Sequence, residues 1–125
     1  MQNTIIFAIA FLIGLLYFRL LFLLFPKYFN KPFTRTKTKL QVHHLHFGVI
    51  FVLLGTFVLL SDSANFFVFA FLGFGLGQIF DLFIASLLMK GDRPAEMKIY
   101  KETFLYTLIL AASILGVAFL MKLLV

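Results

Sequence analysis

The sequence predicts an all-α polytopic integral membrane protein with four transmembrane helices in two hairpins. Three observations carry this. The 125-residue chain is 62% hydrophobic with a mean hydropathy of +1.06, whereas a soluble domain of this size is closer to half apolar. The apolar residues gather into runs near the roughly 20 residues that cross a hydrocarbon core of about 30 Å. The basic residues between the runs fall in two of the connections and none in the third. Within lipid every backbone group must be bonded internally, which leaves helices or a closed barrel. A barrel needs alternating polarity, and the runs show none.

The runs are 4–25, 42–60, 64–89 and 103–125. The first has no basic residue before it and is longer than the apolar stretch of a signal peptide, and no small-residue cleavage site follows. It is expected to stay as an anchor. The second follows a linker, 26–41, that carries Lys27, Lys31, Arg35, Lys37 and Lys39 without an acid. The third follows a short connection holding Asp62 and no base. The fourth follows a second basic loop, 90–102, with Lys90, Arg93, Lys98 and Lys101 against Asp92, Glu96 and Glu102. Four spans put both basic loops on one side. The positive-inside rule makes that side cytoplasmic, with both termini outside. A prokaryotic cytoplasmic membrane is the expected location. Lys122, near the outer end, is expected to snorkel outward. Cysteines at Lys37 and Arg93 should resist a membrane-impermeant thiol reagent in intact cells, and one at Ser63 should react. Labelling of Lys37→Cys from outside would reverse the orientation.

The composition also excludes chemistry. There is no cysteine, hence no disulfide, thiolate metal site or cysteine nucleophile. The basic loops are expected to touch anionic headgroups. Nucleic acid is not expected as a partner, because Tyr28 and Phe33 are not spaced as a stacking platform. A homo-oligomer or a larger membrane complex fits a chain with so little outside the bilayer.

Polar residues inside spans are costly and mark function or helix contact. Arg19, His46, Asp81 and Tyr106 each lie about 8–13 Å from the basic end of their span at 1.5 Å per residue. They define an inner-leaflet polar layer. Every histidine of the chain, His43, His44 and His46, sits at the start of the second span, in "QVHHLHFGVI". In the third span Gly73, Gly77, Asp81 and Ala85 recur every four positions, so they form one stripe. Small residues at that spacing bring membrane helices close. Asp81 is thereby turned toward protein, with Gln78 bordering it. Gly75 falls off this stripe and is read as loosening the helix. Gly48 and Gly55 lie near His44 on one face of the second span.

Two facings of the histidines follow. If the glycines mark contact with the third span, His44 points at Asp81. If the i, i+3 pair converges, His43 and His46 do. The three spread over about 160° of a regular helix and do not all meet one point.

Imidazole and carboxylate suit zinc or iron. The preferred expectation is therefore a divalent metal held by His43, His44, His46 and Asp81, with Gln78, Arg19 and Tyr106 around them, reached from the cytoplasmic side and acting on or sensing lipid. No H-E-x-x-H spacing supports it. The alternative is a non-catalytic accessory or assembly subunit whose His/Asp/Arg layer is a metal-free structural or docking network. Arg19 itself either snorkels to anionic headgroups or pairs with Asp81 and competes with a metal for that carboxylate. A third reading is proton or ion movement by an oligomer, against which stand the apolar outer halves of the spans. No nucleophile marks an enzyme.

Overall fold

The computed structural model describes residues 2–29, 43–61, 64–89 and 93–124. Helix α1 runs Gln2–Leu24, α2 Pro26–Phe29, α3 His44–Ser61, α4 Phe66–Leu88, α5 Arg93–Glu102 and α6 Phe104–Leu124. Helices α1, α3, α4 and α6 are long and apolar enough to cross a membrane. The protein is an all-α, four-span membrane protein. Its large side chains face outward all along the spans, among them Ile9, Leu53, Phe57, Leu120 and Leu124, as a lipid solvent allows. The hydroxyls facing that solvent turn back onto their own helices: Thr56 donates to the Val52 carbonyl at 2.8 Å and Ser113 to that of Ile109 at 2.9 Å. Neither leaves a bare polar group in hydrocarbon.

Helix α4 is the centre of the packing, with α1 and α3 against it. Its ends are set locally. Asn65 caps the start, its side chain accepting from the Val68 N–H at 3.2 Å. Met89 leaves the helix in extended conformation, ψ 133°.

Glycine sets both faces of α4. A Cβ on Gly73 would lie 2.5 Å from the Phe7 carbonyl oxygen, and one on Gly77 2.1 Å from that of Phe11. On the α1 side, a Cβ on Gly14 would stand 2.2 Å from the Phe74 carbonyl oxygen. The expected stripe therefore meets α1. Gly75 is two residues from Gly73, about 200° around the helix, and meets α3 instead. Cβ atoms on Gly75 and Gly48 would each stand 2.6 Å from the other's carbonyl oxygen. This corrects the reading of Gly75 as a loosening residue: it is a point of near backbone contact in the α3–α4 joint. Gly55 extends that joint against Leu72. Ala85 packs with Leu82 and Tyr100.

Helix α6 is held lightly. Only Thr107 and Ala111 of it are buried, Ala111 against Phe11 and Leu15 of α1. Residues 93–102, placed in a basic loop by the charge pattern, form a helix instead. Glu96 in its first turn and Lys101 in its last complement the helix dipole. Lys98 and Glu102 pair at 3.8 Å on the exposed side, a contact worth little in water.

Candidate functional site

Asp81 is fully buried and is the hub of the site. Its stripe turns it inward at the level where α1, α3, α5 and α6 converge on α4. Arg19 of α1 pairs with Oδ1 through Nε. His44 of α3 meets Oδ2 through Nε2 at 2.9 Å. The Tyr100 hydroxyl of α5 donates to the same Oδ2 at 2.5 Å. The carboxylate is thus engaged at both oxygens by three helices.

Arg19 reaches further. Its Nη1 donates to the Tyr100 carbonyl at 2.6 Å. Its Nη2 donates to the Thr107 hydroxyl at 3.2 Å and to the Asp81 carbonyl at 3.3 Å. The guanidinium carbon sits 4.1 Å from the centre of the Tyr100 ring and 4.9 Å from that of Phe104, a cation–π arrangement on both. Thr103 is a turn residue between α5 and α6. A side chain entering the hydrogen-bond ladder breaks a helix, and here Arg19 takes a carbonyl at the break. The ladder continues on either side: the Ile99 carbonyl accepts both the Thr103 N–H at 3.0 Å and its hydroxyl at 2.8 Å, and the Thr103 carbonyl accepts the Thr107 N–H at 3.0 Å.

His44 is placed by aromatic neighbours. Phe18 stacks on it at 4.4 Å between centroids and 14° between planes, and Tyr100 presents itself at 5.9 Å and 67°. With a carboxylate at Nε2, that nitrogen carries the proton and donates. Tyr100 also donates. Burial first, then the Asp81 charge, pushes its phenol well above the usual tyrosine range, so it stays protonated.

The other histidines do not reach Asp81. The His43 N–H donates to Nδ1 of His46 at 3.0 Å, the reach-back of a capping box with imidazole in place of glutamate. Their rings stack at 6.3 Å. Two of the three therefore form the start of α3, and only His44 joins the carboxylate. The glycine facing is the one realised: Gly48, one turn after His44, meets Gly75. Among the described residues no group of three His, Cys, Asp or Glu side chains is placed to hold a metal ion.

Gln78 is buried beside the hub, and its Oε1 has no hydrogen-bond partner among the described residues. A buried acceptor left so costs about 1–3 kcal/mol. Tyr106 is outside the site, 61% exposed. Tyr100, Thr107 and Phe18 are the site residues that the sequence reading lacks. A signal for the first two exists: Glu96, Tyr100, Thr103, Thr107 and Ala111 recur at spacings of four and three, one face running through both helices. The charges of 90–102 hide it by reading as a loop.

No family model, curated protein or solved structure matches the chain.

Proposed function

We propose that the chain is a non-catalytic membrane subunit whose polar layer is a metal-free clamp. The observation that supports this reading is the complete engagement of Asp81. Lipid-facing apolar side chains do not choose between helix partners, because lipid is as apolar as they are. One acid shared by Arg19, His44 and Tyr100 does choose: it is satisfied only when α1, α3, α4 and α5 are in one register. A buried ion pair is weak evidence for stability and better evidence for specificity of this kind. The same engagement weighs against Asp81 as a metal ligand. Its charge is already matched by Arg19, and a divalent cation on this carboxylate would stand close to a guanidinium of the same sign.

The clamp leaves the rest of the molecule as apolar surface for lipid or for partner helices, which suits an assembly role. Elemental analysis of protein purified without a histidine tag tests this reading. No stoichiometric zinc or iron is expected, and added zinc should not raise the melting temperature. One zinc or iron per protomer, lost in Asp81→Asn and in His44→Ala, would replace the clamp with a metal centre.

A further inference from the structure

The joints of this molecule are unequal. Helix α4 meets α1 and α3 through glycines in near backbone contact, buried in the spans. Helix α5 lies outside the spans. It meets the core through Tyr100, which gives its hydroxyl to Asp81, its carbonyl to Arg19 and its ring to Phe22 at 6.0 Å between centroids, with Glu96 buried on the same helix and Met97 and Ile99 partly buried against the Leu82–Ala85–Tyr100 cluster. Behind Tyr100, helices α5 and α6 meet at the single turn residue Thr103, where the Tyr100 carbonyl goes to Arg19 while the Thr103 N–H and carbonyl keep their ladder partners, Ile99 and Thr107. The α6 side of the break is pinned separately, by Thr107 on Arg19 and by Ala111 in the α1 cluster.

Solvent adds a second asymmetry. A span that unwinds exposes its backbone to hydrocarbon, at several kcal/mol for each unsatisfied group. Helix α5 has Lys98 and Glu102 exposed on its outer side, so it borders water, and its freed backbone groups can be hydrated. Partial opening takes the least stable cooperative unit first.

We propose that α5 is a lid, hinged at Thr103, that lifts from α4 and uncovers the Asp81–His44 pair from the end of the bundle where the lid lies. The proposal rests on the clamp reading and adds motion to it. Lifting breaks the Tyr100 hydrogen bonds and leaves Arg19 on Oδ1 and His44 on Oδ2. The core keeps its register while one oxygen of a buried carboxylate loses its tyrosine donor. The uncovered pair offers an anionic acceptor beside an imidazole.

Hydrogen exchange of the full-length protein in lipid nanodiscs, read by mass spectrometry, tests the lid. Peptides from 95–103 should exchange at least tenfold faster than peptides from 70–82. Tyr100→Phe keeps the ring and removes the hydroxyl. It should speed exchange in 95–103 about tenfold further and leave 70–82 unchanged. Carbethoxylation of His44 by diethyl pyrocarbonate should rise with it. Equal protection of α5 and α4, acceleration of both together in Tyr100→Phe, or faster α5 exchange with His44 no more reactive would each overturn the lid. The clamp reading fails on a different result, an unchanged melting temperature in Asp81→Asn.

Discussion

Asp81→Asn is expected to destabilise the folded protein by about 3–5 kcal/mol, the range for removing one partner of a buried charge pair. The shape of the side chain is kept and the charge is lost. Arg19, whose side chain is 9% exposed, is left as a buried cation that has lost its carboxylate partner among the described residues. The amide still accepts from Tyr100 at one position, but its NH2 group faces the donors of Arg19 or His44 at the other. Arg19→Met should cost a similar amount by leaving Asp81 the unmatched charge. The two effects should not add. Arg19→Met with Asp81→Leu removes both charges at once and should recover most of the single-variant loss, since apolar replacement of a whole buried pair is often neutral. The residual deficit is that of His44 and Tyr100, which lose their acceptor. Circular-dichroism melts of wild type, Arg19→Met, Asp81→Leu and the double variant in one detergent close a double-mutant cycle. Additive losses would mean that Arg19 and Asp81 act separately, and the clamp would be wrong.

The span positions and the central acid are legible in the sequence because both rest on periodicity. Long apolar runs declare membrane helices without any tertiary information, and a four-residue stripe of glycine carries Asp81 inward by helical geometry alone. Gly75 is misread for a related reason. A single stripe is the signature of a helix packed on one side, whereas α4 is packed on two, and two residues' separation places Gly75 on the opposite face. The histidines are legible only as alternatives, because three imidazoles in four residues cannot share a direction. The Gly48–Gly75 contact decides between them. Tyr100 is hidden by its neighbours. A segment with lysine, arginine and glutamate reads as a loop, and only its buried side, continued by Thr107 and Ala111, shows a helix. Gln78 is found by its place next to Asp81, but nothing in the sequence or the structure explains its unpaired oxygen.

Gly77→Ala and Gly75→Ala should both destabilise the protein, and to a similar degree, each on the order of 1–3 kcal/mol as overpacking does. The atoms in the way are backbone. At Gly77 the added methyl would stand 2.1 Å from the Phe11 carbonyl oxygen, and at Gly75 2.6 Å from that of Gly48. Neither obstacle is a flexible side chain that can rotate aside, so α1 or α3 must move off α4 as a whole. The helix-propensity gain of alanine over glycine, about 1 kcal/mol, does not offset that. The position of each variant predicts a second effect. Gly75 lies on the joint that brings His44 to Asp81, so Gly75→Ala should loosen His44 and raise its carbethoxylation. Gly77 lies on the joint that brings Arg19, so Gly77→Ala should leave His44 protected. Gly116, on α6, has nothing within 4 Å of a built Cβ, and Gly116→Ala should melt at or above the wild-type temperature. The three variants differ from wild type by one methyl each, which makes the comparison one of location alone. A Gly75→Ala protein as stable as wild type would mean that α3 does not sit on that face of α4, and the contact between His44 and Asp81 would lose its structural support.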